Sequence, residues 1–180
     1  MKLRNILTIL LATMVIWACD DSDDEIADGP VIEQFAVHAA EGEHNHEGEE
    51  EEHDEEEVHV TIGSTMDVEA VISGEAGVTA YKITIHPAFD GHSHRVAVDN
   101  IGWNFNSNVD LTGTTLVDVE DEIAIPLYIN SATGLEWKEE DGEENKMATP
   151  EGDYHLLLFA LDANGRDAMK EQVLHLENEQ

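Results

Sequence analysis

At 180 residues the chain is long enough for one domain with a real core, and 41 Asp and Glu against 8 Lys and Arg give a formal charge of −33. Such a surface repels nucleic acid and anionic lipid, which excludes a nucleic-acid binder, and it gathers cations around itself instead. With a single cysteine there can be no disulfide framework within the chain.

Lys2 and Arg4 precede an apolar run from Ile6 to Ala18. The run is too short to span a bilayer as a mature helix and reads as a secretion signal over residues 1–18. The stretch Ile16-Trp17-Ala18-Cys19, with a small residue directly before the cysteine, resembles the lipobox of bacterial lipoproteins. That resemblance implies acylation of Cys19 and a membrane anchor at the start of the mature chain. The run Asp20-Asp21-Ser22-Asp23-Asp24-Glu25 has no apolar periodicity, so residues 19–29 read as a disordered acidic tether. An acidic patch behind the acylated cysteine resembles the surface-export signal of some Gram-negative lipoproteins, although in enteric bacteria an aspartate there signals inner-membrane retention. The expected address is the outer membrane, facing the cell exterior.

Beyond the tether, short segments rich in β-branched and aromatic residues predict strands at Val31–His38, Met66–Ile72, Val78–His86, Arg95–Asn100, Asp118–Ile129, Tyr154–Asp162 and Ala168–Glu177. Asn164-Gly165 is a hairpin turn, because both residues accept positive φ. Residues 30–180 are therefore expected to form an all-β domain, an immunoglobulin-like two-sheet Greek-key sandwich of about seven strands. A His- and Glu-rich insert at about 39–57 interrupts it.

Thr149–Glu177 resembles the last two strands of bacterial immunoglobulin-like domains, with a Gly-x-Tyr start, a buried strand and an Asp-x-x-Gly turn. Several features together resemble a family of uncharacterised bacterial lipoproteins defined by a domain of unknown function. They are the lipobox, an opening proline strand, Ile85-His86 followed by Phe89-Asp90-x-His92-x-His94, Trp103, and the Gly-x-Tyr ending. The resemblance covers nearly all of the chain after Cys19; it implies an immunoglobulin-like fold on a lipid anchor and no established activity or catalytic residue.

If strand direction alternates, the insert, the segment HPAFDGHSH and the acidic loop LEWKEEDGEENKMATPEGD all emerge at one end of the sandwich, opposite the tether. His155 and His175 are expected toward that same end. In VTAYKITIH, Tyr81, Ile83 and Ile85 share one face, so His86 points away from the core. His92-x-His94, if extended, has α-carbons about 7 Å apart, within range of one ion. His86, His92 and His94 form a candidate three-nitrogen metal set, with Asp90 as fourth ligand or as the carboxylate that fixes a ring tautomer; His155 is a further candidate. The plainer reading of the segment is a hydrogen-bonded turn at Asp90-Gly91. His38, His44, His46, His53 and His59, spaced among carboxylates, read as a low-affinity metal-collecting loop, against the plainer reading of a solvated acidic tract. His155 in an apolar strand is more often a satisfied core residue, and the register of His175 cannot be assigned from sequence.

Imidazole with optional carboxylate and no thiol suits Zn(II) first and Cu(II) or Ni(II) next. Asp162-x-Asn164-Gly165-x-Asp167 lacks the downstream glutamate of an EF-hand and reads as the hairpin itself. Trp103, Phe105, Tyr128 and Trp137 are expected in the core rather than on a carbohydrate platform. No nucleophile elbow, phosphate loop or zinc-protease helix occurs, and an enzyme is not expected. The expected function is a surface- or periplasm-facing lipoprotein that binds a divalent transition metal for uptake or buffering, with an outer-membrane receptor or transporter as its partner. The rival is an adhesion module for a protein or glycan, with metal structural or absent.

Overall fold

The computed structural model describes residues 29–39, 57–88 and 101–179. The signal segment, Cys19, the tether, the body of the insert with His44, His46 and His53, and the segment holding Asp90, His92, His94 and the strand expected at Arg95–Asn100 lie outside the described residues. Eight strands follow in chain order: β1 (Val31–Ala39), β2 (Val58–Thr61), β3 (Thr65–Pro87), β4 (Phe105–Ala124), β5 (Tyr128–Asn130), β6 (Lys146–Ala148), β7 (Gly152–Asp162) and β8 (Asp167–Glu177). Two single turns of 3-10 helix, Glu139–Asp141 and Glu143–Asn145, lie between β5 and β6, and no α-helix occurs among the described residues.

β3 organises the sandwich. Its first half pairs with β1, from Ser73 opposite Val31 to Met66 opposite Ala39, and its second half pairs with β7, from Val78 opposite Asp162 to Pro87 opposite Tyr154. β4 runs antiparallel along both halves, and the register breaks between Ser73 and Val78 and again before Ala80. The break switches which residues face inward. Met66, Val68, Ala70 and Ile72 are buried before it, Ile83 and Ile85 after it, and all six belong to one core with Tyr154, Leu156, Leu158, Leu174 and Leu176. The β3–β4 ribbon thus passes from one layer to the other and encloses the core between them. Gly77 makes the turn possible: its φ is +87°, and a Cβ there would lie 2.8 Å from the carbonyl oxygen of Gly113 on β4.

The layers close at the far end of the ribbon. The Ile62 amide donates to the Glu177 carbonyl at 2.8 Å and the Gly63 amide to the Ile125 carbonyl at 3.0 Å, which ties the end of β8 to the end of β4. β2 lies parallel to β8, with Val58 opposite Leu174 and Thr61 opposite Glu177. The start of β7 carries a further lock. Tyr154 is fully buried; its hydroxyl donates to the Pro150 carbonyl at 3.0 Å and accepts from the Trp103 amide at 3.3 Å. A tyrosine at the start of this strand that bonds backbone a few residues upstream is the tyrosine corner of immunoglobulin-like sandwiches.

The all-β sandwich agrees with the strand pattern, and three element assignments change. The strands expected at Met66–Ile72 and Val78–His86 are one bent strand, because β4 pairs with both halves across the register breaks between Ser73 and Ala80. The strand expected from Asp118 begins already at Phe105: residues 105–116 contain no fully buried position, and their only apolar alternation, Phe105, Val109 and Leu111 between polar residues, is half-buried, with Phe105 and Leu111 against the core. β2 is only four residues long, too short to register as a strand by pattern, and it is held by its neighbour β8.

Candidate metal centre

The layer formed by the second half of β3 with β7, β8 and β2 turns alternate residues outward at its tip. On β7, Tyr154, Leu156 and Leu158 point into the core, so Asp153 and His155 point outward; on β8, Leu174 and Leu176 point inward and Val173, His175 and Glu177 outward. On β2, Val60 is buried and His59 exposed. Register then aligns these residues across the sheet. One row joins His86 of β3 to His155 of β7 and Val173 of β8; the next row toward the tip joins Asp153 of β7, His175 of β8 and His59 of β2.

The second row is a convergent donor set. His175 Nδ1 lies 2.8 Å from Asp153 Oδ1 and 3.2 Å from Glu57 Oε1. One ligand atom from each of Glu57, Asp153 and His175 lies within 4.8 Å of the others. His59 flanks them, its ring centre 5.1 Å from that of His175 and its Nδ1 3.8 Å from Glu177 Oε2. The hydrogen bond to Asp153 raises the pKa of His175 above its ordinary 6.5; desolvation opposes this, and the negative charges of Glu57, Asp153 and Glu177 add to the rise. In a zinc site, bond lengths of about 2.0–2.2 Å put neighbouring donor atoms somewhat over 3 Å apart. The two carboxylates close on an imidazole at nearly that spacing already. The spacing between the two carboxylates is bounded only by 4.8 Å, so a cation among the three groups would require the side chains to close in.

In the first row, the His86 and His155 rings lie 5.6 Å apart, tilted by 42°. His155 Nδ1 is 2.5 Å from Glu171 Oε1, and the two side chains retain only 17% and 30% of their exposure. His86 stands where the alternation of VTAYKITIH puts it, on the outward face at the end of β3. His155 is also on that face and not among the core side chains.

Of the five histidines expected to collect metal weakly, His38 is an exposed residue of β1 opposite Asp67, as the strand expected at Val31–His38 has it, and His59, beyond the expected insert, is part of β2. Both are fixed by strand pairing to opposite layers, and only His59 joins the outward row. Glu57 and Asp153 were not named as ligands by sequence reasoning, and His175 was expected at this end without an assigned register. Alternation of Val173, His175 and Glu177 was a signal for an outward His175, but its neighbours depend on register: Asp153 from the antiparallel β7–β8 pair and His59 from the parallel β2–β8 pair, more than a hundred positions away. The segments that reach beyond the described residues leave from the same place: the insert re-enters the sheet at Glu57, and the Ala88 amide donates to the Asp153 carbonyl at 2.8 Å where HPAFDGHSH departs.

Other expectations resolve locally. Asp162 is buried in the β7–β8 hairpin, where Oδ1 accepts from the Asn164 and Arg166 amides at 2.9 and 2.8 Å and Oδ2 from Arg166 Nε at 3.0 Å. Burial alone would raise its pKa, but these bonds and the guanidinium hold it below its ordinary value. The carboxylate is thus used by the turn. Trp103 is in the core, with Phe105 packed against it. Tyr128 and Trp137 instead flank Lys146, whose Nζ lies 4.6 and 4.1 Å from their ring centres, a cation–π clamp that closes the acidic loop.

No curated protein matches the chain. Among solved structures, wild-type OgpA from Akkermansia muciniphila is similar with a TM-score of 0.48 at 13% identity, over 87% of this chain and 31% of that one. A β-glucosidase from Listeria innocua is similar with a TM-score of 0.41 at 8% identity, over 86% of this chain and 17% of that one. The chain spans less than a third of the length of either protein. One family model, that of a domain of unknown function, DUF4625, matches residues 17–177, and the chain belongs to that family.

Proposed function

We propose that this protein binds a divalent transition metal at the tip of its sandwich and acts as a capture or buffering protein of the cell envelope, not as an enzyme. The observation that carries the reading is the convergence of Glu57, Asp153 and His175 on one outward face. One imidazole and two carboxylates, with His59 adjacent and no thiol, suit Zn(II) first and Cu(II) or Ni(II) next. The strongly acidic composition supports it by concentrating cations near the tip. The His- and Glu-rich insert, which returns to the sheet at Glu57, would gather ions weakly and pass them to this centre. Acylated Cys19 would hold the domain on the outer membrane, facing outward, with an outer-membrane receptor or transporter as recipient. That last step is motivated by location alone, and failure of any transporter to co-purify with the metal-loaded protein would sink it.

The test is calorimetric titration of the full chain with Zn(II), Cu(II) and Ni(II), repeated on the Asp153→Ala, His175→Ala double variant. A tight phase present in the native chain and absent from the variant, above weaker phases retained by both, supports the reading. Equal weak heats in both proteins would overturn it in favour of a surface adhesion module.

A further inference from the structure

We propose a second metal centre one row further along β7, with His86 and His155 as ligands and Glu171 as the positioning residue, so that the tip holds two ions side by side. This rests on the reading of the tip as a metal-binding face, and it adds residues from β3 that the first centre does not touch.

His86 and His155 are direct cross-strand partners of the antiparallel β3–β7 pair, so both rings leave the same face of the sheet. Their centres are 5.6 Å apart. Two imidazoles bound to one ion through nitrogens at about 2.0–2.1 Å have ring centres roughly 5–6 Å apart, depending on the angle between the bonds. The observed separation lies within that range. The His59 and His175 rings, at 5.1 Å, satisfy the same relation in the neighbouring row.

Glu171 supplies the orienting contact. Register puts Val173 opposite His155 and Leu157 opposite Glu171, so Glu171 reaches His155 along the diagonal, with its Oε1 2.5 Å from Nδ1. The Glu171 carboxylate against the Nδ1 side of the ring restrains it and makes Nε2 the proposed metal donor, since metal-binding histidines are commonly oriented by a carboxylate on the other nitrogen. The plain alternative is an ion pair between His155 and Glu171 with His86 in ring contact, holding no ion. The two readings differ in what an added cation does. Asp153 and His155 are two residues apart on one strand, which spaces the two centres by about 7 Å.

The experiment is cadmium NMR on the full chain in detergent micelles, with Cd(II) as a spectroscopic substitute for Zn(II). Two resonances are expected, one removed by Asp153→Ala with His175→Ala and the other by His155→Ala. His86→Gln, on a different strand, should remove the same second resonance and guards against misfolding of the His155 variant. Glu171→Gln should weaken the second centre by roughly 10- to 100-fold and shift the pH at which it fills, leaving the first unchanged. A single resonance that depends only on Asp153 and His175 would overturn the second centre while the first stands. Two resonances with neither responding to His86 or His155 would also overturn it. Loss of dependence on both sets would overturn the metal reading altogether.

Discussion

His59 and His175 face each other across the parallel β2–β8 pair with ring centres 5.1 Å apart, although 116 residues separate them in the chain. Because β2 is the point where the insert rejoins the sheet, this pairing sets the end of a His- and Glu-rich tract against Asp153 and His175. Replacing Asp153 or His175 with Ala should abolish the tight Zn(II) phase. The His175–Asp153 pair is largely solvent-exposed, so its loss should lower the thermal stability of the metal-free protein by no more than about 1 kcal/mol. Calorimetry and thermal unfolding on the same variants separate these outcomes.

Metal binding and stability should respond oppositely to pH. The His175 pKa is raised in the folded state above 6.5, so its stabilising pair with Asp153 is fully present below pH 6.5 and fades as pH rises through the raised value. Zinc must displace that proton, so affinity should rise over the same window and binding should release a proton. Titrations in buffers of different ionisation enthalpy measure the release; denaturant melts across the window measure the stability. Asp153→Asn should flatten both dependences. An affinity independent of pH through this window would show that His175 is not a ligand.

Acid should act on a different group. Asp162 has a lowered pKa, so its contribution is present above its unfolded value and lost as pH falls through the folded one. Asp162→Asn should therefore reduce the loss of stability in acid and leave metal binding unchanged, as read by pH-dependent melts and calorimetry.

The tyrosine corner predicts a stability effect remote from the tip chemistry. Tyr154→Phe leaves the buried Trp103 amide without its acceptor and should cost about 1–3 kcal/mol in denaturant unfolding, with an unchanged m-value. At the ribbon turn, Gly77→Ala meets both a φ of +87° and the Gly113 carbonyl, whereas Gly113→Ala, at φ +80°, has no heavy atom within 4 Å of its Cβ. The Gly113 variant should lose about 1–2 kcal/mol from backbone strain alone, and the Gly77 variant more. Equal losses would mean the turn yields to a side chain at Gly77.

Anchoring has its own readout. Cys19→Ala should prevent incorporation of labelled fatty acid and move the protein from the membrane to the soluble fraction, with the tight Zn(II) phase retained. Membrane retention of the variant would point to an anchor elsewhere.

The sequence by itself determined the all-β class, because period-2 alternation in segments such as VTAYKITIH, YHLLLFALD and AMKEQVLHLE can bury only one face of a sheet. It also determined the outward direction of His86, the hairpin at Asn164-Gly165 and the acidity that favours cations. Only the tertiary structure decided which histidines meet. Alternation reports the face of a residue but not its neighbours, and the neighbours of His175 come from β2 and β7, whose register depends on how the β3–β4 ribbon turns at Gly77 and on the parallel return of β2. The reach of β4 was also hidden, because the alternation of Phe105, Val109 and Leu111 is interrupted at Ser107 and gives way to the polar run from Thr112 to Thr115. Local chemistry wrote the elements, and long-range register chose the residues that share a site.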